Sequence, residues 1–134
     1  MKATNIISWC LRIVIAVIFL QTLYFKFTAH PDSVYIFSQL GAEPYGRIGL
    51  GIAELITAFL ILLPRTKIIG LFLSFGIICG AIFSHLLVIG TNIAGDSGGL
   101  FALALVIFVA CIALFYLHRN EIQLLINTFS KNEK

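Results

Sequence analysis

The segment Gly99–Leu117, GLFALALVIFVACIALFYL, contains no charged residue and no proline, and its only glycine is the first residue. A backbone amide in hydrocarbon has no water to bond, so a segment of this kind must be helical over its whole length. At a rise of about 1.5 Å per residue, about 19 residues form a helix of about 28 Å, close to the thickness of a bilayer core. The segment therefore predicts a membrane-spanning helix.

Three further apolar segments of similar length lie earlier in the chain: Ile6–Phe27, Pro44–Leu63 and Ile68–Ile89. Hydrophobic residues make up 60% of the 134 residues and charged residues only 11%, and the mean hydropathy is +1.03. A soluble domain has about a quarter of its residues charged, so this chain cannot cover its surface in water. We predict an all-α integral membrane four-helix bundle, one domain over residues 1–134, in contact with the lipid bilayer.

The placement of lysine and arginine predicts the orientation of the bundle. With the N-terminus inside, one side carries six of these cations and the other side only Lys26 and Arg47. Lysine and arginine accumulate on the cytoplasmic side, so we expect both termini in the cytoplasm. The six cytoplasmic cations are Lys2, Arg65, Lys67, Arg119, Lys131 and Lys134.

The net charge of +3 is scattered along the chain, so the sequence predicts no basic surface for nucleic acid.

Two shorter helices are expected outside the spans. In the first outer loop, His30-Pro31-Asp32-Ser33 is typical of a helix start, and Val34, Phe37 and Leu40 follow at helical spacing before Gly41. We expect a short helix here at the outer membrane surface. The amphipathic stretch Ile122–Phe129 is expected to lie on the inner membrane surface or to fray.

Ionisable side chains within spans are costly and usually face the bundle interior. Arg12 and Glu54 lie roughly 9 and 13 Å deep from the cytoplasmic side, as estimated from helix rise. Their matched depth and opposite charge predict a buried ion pair. Two interpretations stay open: the pair locks two helices together, or it takes part in ligand or proton chemistry.

A second group of polar side chains is expected near the outer face, where Lys26, Arg47 and His85 would lie above Glu54. The long first outer loop and the glycine-rich Gly90–Gly98 segment allow the helices to separate there. These residues predict an outward-opening intramembrane pocket for an anion or the head group of a quinone or lipid. Alternatively, Lys26 and Arg47 extend to lipid phosphates.

His85 within a span is a candidate for hydrogen bonding to a neighbouring helix or to a quinone carbonyl. Metal or haem ligation would need a second ligand, and His30 is the only outer candidate, so we predict no metal site. The three cysteines form no C-x-x-C, which argues against a dithiol centre. The sequence Gly76-Ile77-Ile78-Cys79-Gly80 is a GxxxG pattern that permits close helix packing and a homodimer.

Nearly the whole chain resembles the DoxX family of small bacterial four-helix integral membrane proteins. The matching features are Arg12, the Phe19…Lys26 segment, Phe37…Leu40-Gly41, Gly49…Glu54, Leu62-Leu63-Pro64-Arg65 and Asp96…Gly99. Members look like relatives of the small membrane subunit of an archaeal thiosulfate:quinone oxidoreductase. The resemblance implies a bacterial inner-membrane protein of redox metabolism or envelope-stress defence, with quinone as a candidate cofactor and a membrane or redox subunit as a candidate partner. The alternative is a non-catalytic membrane scaffold or a carrier of small lipophiles.

Overall fold

The computed structural model describes residues 2–93 and 95–133, and within them the regular structure is helical. The helices are α1 (Lys2–Phe27), α2 (Pro31–Gln39), α3 (Tyr45–Leu62), α4 (Lys67–Ser84), α5 (Gly99–Leu117) and α6 (Arg119–Asn132). A π-helical turn, His85–Ile89, continues α4. Four helices, α1, α3, α4 with its π-helical turn, and α5, are long and apolar enough to cross a membrane. The predicted all-α class is confirmed and the four predicted spans correspond to four candidate membrane-spanning helices, whereas the orientation of the termini stays a prediction.

The four spans form a closed ring in which α1 packs on α3, α3 on α4, α4 on α5, and α5 on α1. Because consecutive spans run in opposite directions, neighbours in this ring are antiparallel. Fully buried Ile15, Ile61 and Ile107 belong to the core between them. Large apolar side chains such as Phe59 and Val109 are exposed on the outside of the ring. This outer surface is suited to lipid, as expected of a multi-pass membrane protein.

The two ends of the ring are named here after the helices that they carry, the α2 end and the α6 end. At the α6 end, α3 and α4 approach closely, because a Cβ at Gly70 would lie 2.4 Å from the backbone nitrogen of Ile61. Farther along α4, a Cβ at Gly76 or Gly80 would meet no atom within 4 Å. The helices therefore converge at the α6 end and leave space toward the α2 end.

Two connections cover the α2 end. In the first, His30 caps α2 by accepting a hydrogen bond from the Asp32 backbone N–H at 3.3 Å, and Ser33 and Phe37 of α2 are buried. The short helix predicted in this loop is therefore present, and its place at the membrane surface stays a prediction. α6 is exposed except at half-buried Ile122, with Leu124 and Phe129 among its exposed side chains, and its place on the other membrane surface is likewise a prediction.

In the second connection, which leads into α5, Asp96 holds the backbone together. Its Oδ2 accepts from the N–H of Leu100, and its Oδ1 accepts from those of Ile93 and Gly98, each at 2.9 Å. These bonds, that from Leu100 first, lower the pKa of the Asp96 carboxyl. Asp96 thus fixes the loop. Its negative charge also lies at the N-terminus of α5, where it interacts favourably with the helix dipole.

Candidate functional site

A buried ion pair between α1 and α3 lies at the centre of the candidate site. The Lys26 Nζ is 2.9 Å from Glu54 Oε2, and both side chains are nearly enclosed, with 12% and 7% of their surface accessible. The Thr22 hydroxyl, one turn before Lys26 on α1, lies 3.1 Å from the same carboxylate oxygen. Pairing and hydrogen bonding reduce the cost of keeping Glu54 inside the bundle.

The predicted ion pair between Arg12 and Glu54 is wrong, because Arg12 has other partners. Its Nε donates to the carbonyl of Ile61 and its Nη2 to that of Leu62, both at 2.6 Å. The guanidinium also lies 4.1 Å from the centre of the Trp9 ring. The last carbonyls of a helix have no partner within the helix and no water in hydrocarbon. Arg12 therefore satisfies the end of α3, and depth alone could not reveal this competitor for its charge.

Arg47 has a related environment at the α2 end. Its Nε lies 2.9 Å from both carboxylate oxygens of Glu43, and its Nη1 donates to the carbonyl of Lys26 at the end of α1. Arg47 is buried, bonds protein groups instead of extending to the surface, and does not line the cavity described below. The structure thus separates Arg47 from the other pocket candidates.

His85 begins the π-helical turn and is buried. Its Nδ1 lies 2.8 Å from the carbonyl oxygen of Gly90, and its ring meets that of Phe101 edge to face at 5.4 Å. Gly90 has φ +79° and ψ 176°, a conformation that essentially only glycine adopts. The unusual end of α4 therefore positions His85, a detail that the sequence did not disclose.

A cavity of about 650 Å³ brings Lys26, Glu54 and His85 together. Its walls extend from Ile78 and Ile107 in the interior to Ser33, Ile93 and Asp96 at the α2 end. Most of the remaining lining is apolar. Small-molecule sites typically have volumes of about 300–1,000 Å³, with apolar walls and a few convergent polar groups. The cavity has the size and chemistry to hold a small amphipathic molecule.

The two glycines of the GxxxG pattern, Gly76 and Gly80, both line this cavity. Since a Cβ at either position would meet no atom within 4 Å, their small size leaves room instead of allowing a close helix contact within the chain. The homodimer that the pattern permits stays a prediction.

A second polar cluster, which sequence analysis missed, lies at the α6 end. Ser8 Oγ is 2.7 Å from His118 Nε2, and His118 Nδ1 is 3.0 Å from Glu121 Oε1. The same oxygen accepts from Lys67 at 3.0 Å. Desolvation by burial acts to raise the pKa of Glu121, but the hydrogen bonds from Lys67 and His118 outweigh it, so the pKa is lowered. The cluster joins α1, α4 and the start of α6. The sequence offered one indication of it, because Lys67, His118 and Glu121 all lie at or next to the ends of spans.

Residues 10–114, more than three quarters of the chain, match the family model described as the DoxX-like family. The matched range includes the Lys26–Glu54 pair and His85. No curated protein and no solved structure matches the chain.

Proposed function

The chain belongs to the DoxX-like family, and on that premise we propose that it binds a small lipophile with a polar head group, of the quinone class, within its four-helix bundle. We place it in the inner membrane of a bacterium, as a membrane subunit of a redox or envelope-stress system. The observation that carries the proposal is the cavity of about 650 Å³ with Lys26, Glu54 and His85 in its wall.

The chemistry of the lining supports an amphipathic ligand. Apolar side chains such as Phe19, Ile36 and Leu103 suit a hydrocarbon ring or tail. Lys26 retains N–H groups that can donate to an oxygen of the head group. Glu54 can exchange a proton with the same head group, as quinone reduction requires, while the electrons would come from a redox partner subunit.

Arg47 does not contact the ligand in this proposal, because its guanidinium is already bonded to Glu43 and to the carbonyl of Lys26. Its role in the proposal is indirect, in holding the end of α1 that carries Lys26. The ligand therefore meets one buried ion pair and one histidine, instead of the basic entrance expected from the sequence.

The second candidate function is that of a membrane scaffold without a ligand. It is favoured by the use of both buried arginines as helix caps, which shows how charged side chains within these spans can be purely structural. The two functions predict different results when a larger side chain fills the cavity. A scaffold does not depend on that space, whereas a lipophile-binding protein loses its ligand.

Filling the cavity from its glycine wall tests the proposal. The protein is expressed in a quinone-containing bacterium and purified into nanodiscs, and co-purifying quinone is extracted and quantified by chromatography. Gly80→Leu should remove most of it, since the new side chain projects into the cavity. Gly49→Leu is the matched control, because Gly49 is also free of neighbours within 4 Å but does not line the cavity. Equal quinone in wild type, both variants and empty nanodiscs would favour the scaffold.

A further inference from the structure

The hydrogen bond of His85 fixes which of its ring nitrogens can meet a ligand. Gly90 offers Nδ1 a carbonyl oxygen, which can only accept, so Nδ1 carries the proton of this bond. In the neutral ring Nε2 is then an acceptor. Nε2 makes no hydrogen bond within residues 2–93 and 95–133. Because no fully buried side-chain nitrogen or oxygen of the described residues lacks a partner, Nε2 must be accessible. His85, which is 4% exposed and lines the cavity, therefore offers the cavity a hydrogen-bond acceptor.

Glu54 offers a second acceptor. Its Oε2 receives the bonds from Lys26 and Thr22, whereas its Oε1 makes no hydrogen bond in the part of the chain that the structure describes. Because no fully buried side-chain oxygen there lacks a partner, Oε1 must be accessible. Glu54 is 5% exposed and lines the cavity, so Oε1 is available to a ligand there. Lys26 can supply a donor and the Ser33 hydroxyl can act either way, but the two most enclosed groups, on α3 and α4, both require a donor.

From these unmet acceptors we infer that the cavity selects a head group that donates hydrogen bonds, the hydroxyl of a phenol or hydroquinone, over one that only accepts. This inference rests on the proposed function and specifies its ligand. A site of this kind rejects an analogue that lacks the matching donor, because the bound analogue displaces water from the acceptors and offers them no hydrogen bond in return. A quinone could accept from Lys26 but could not satisfy Glu54 Oε1 or His85 Nε2. The reduced, hydroxyl-bearing form of such a ligand is therefore the one retained.

A pair of compounds that cannot interconvert by redox chemistry isolates the hydroxyl. A long-chain 4-alkylphenol and its methyl ether have nearly the same shape and the same tail, and only the phenol can donate. Binding to wild-type protein in nanodiscs is measured with each compound, after subtraction of its partition into empty nanodiscs. The phenol should bind at least about tenfold more tightly than the ether. Equal binding of the two compounds overturns the inference.

Variants assign the selectivity to the named acceptors. Lys26→Met with Glu54→Leu removes one acceptor together with its partner charge, and His85→Phe removes the other. Each should reduce the ratio of phenol to ether affinity, chiefly by weakening the phenol. A ratio unchanged in both variants contradicts the inference. Gly49→Leu should keep the wild-type ratio.

The cavity-filling variant separates a failure of this inference from a failure of the proposed function. If both compounds bind equally and Gly80→Leu abolishes both, the cavity is a lipophile site without donor selectivity, so the proposed function stands and the inference fails. If neither compound binds above the level of empty nanodiscs, both are overturned.

Discussion

At the scale of single residues, Arg12 and Arg47 occupy equivalent positions at opposite ends of the α1–α3 pair. Arg12 of α1 bonds the last carbonyls of α3, and Arg47 of α3 bonds the Lys26 carbonyl near the end of α1. A cation near a helix C-terminus is also favoured by the helix dipole. Each helix of this antiparallel pair thus helps to cap the C-terminal end of the other.

Replacement of Arg12 tests this arrangement. Arg12→Met leaves two carbonyls without partners, and each unmet buried acceptor costs on the order of 1–3 kcal/mol. We expect the free energy of unfolding in detergent to fall by about 2–4 kcal/mol. Arg12→Lys should recover only part of the loss, because an ammonium lacks the fork that reaches two acceptors. If adding Glu54→Leu to Arg12→Met recovered the lost stability, the result would support an Arg12–Glu54 ion pair and contradict the contacts in the structure.

Lys26 and Glu54 should behave as a coupled pair. Breaking a buried ion pair by removing one partner costs about 3–5 kcal/mol, while replacing both partners with apolar residues is often nearly neutral. We therefore expect Lys26→Met to lower the free energy of unfolding substantially, and Lys26→Met with Glu54→Leu to recover much of the loss. A double-mutant cycle measured by denaturation in detergent gives the coupling. Additive losses would show that the 2.9 Å contact contributes nothing.

At the scale of elements, the glycines of α4 have opposite roles along one helix. Gly70→Ala places a Cβ 2.4 Å from a backbone nitrogen of α3, which only a shift of the helix can relieve, so it should destabilise by about 1–3 kcal/mol. Gly76→Ala is the matched control: nothing lies within 4 Å of the new Cβ, and the higher helix propensity of alanine should stabilise by up to about 1 kcal/mol. Thermal unfolding of the two variants checks this, and equal melting temperatures would contradict the close approach of α3 and α4.

The Asp96 loop predicts a dependence of stability on pH. Backbone hydrogen bonds hold the folded pKa of Asp96 below its ordinary value of 3.8. A carboxyl with a depressed folded pKa stabilises the fold above the unfolded pKa, and this stabilisation is lost as pH falls through the folded pKa. Asp96→Asn should therefore melt below wild type at pH 7, and the two melting temperatures should converge as pH falls from 4 toward 3. The same pH dependence from Glu121 is present in both proteins and cancels in the difference.

At the scale of the whole molecule, the α6 end carries Arg65 and Lys67, where α3 is connected to α4, and Arg119, where α6 begins. Since lysine and arginine favour the cytoplasmic side, a reporter inserted between Arg65 and Lys67, or fused to the C-terminus, should read cytoplasmic. A reporter at Asp32 or Asp96 should read external. A cytoplasmic signal from the Asp32 position would reverse the predicted orientation and place the α2 end on the cytoplasmic side of the membrane.

Part of the cavity lining follows from the sequence, whereas its role as a binding site stays a prediction. Glu54 and His85 drew attention because an ionisable side chain inside an apolar segment is costly, and both line the cavity with Lys26. Their partners were not foreseen. Depth along a helix axis constrains one coordinate only, so it matched Arg12 to Glu54 although rotation and the unmet carbonyls of α3 decide otherwise. Ser8 and His118 were overlooked because a serine near a helix start and a histidine at a span end are unremarkable until tertiary packing joins them.

The sequence by itself determined the class and the number of spans, because the need to satisfy every backbone group in hydrocarbon acts locally, within each apolar segment. The tertiary structure alone decided the contacts between spans: the order of the ring, the helix capping by Arg12 and Arg47, and the pairing of Glu54 with Lys26. These depend on the rotation of each helix about its axis and on competition among several partners at the same depth. Neither is encoded in the length or hydropathy of a single segment.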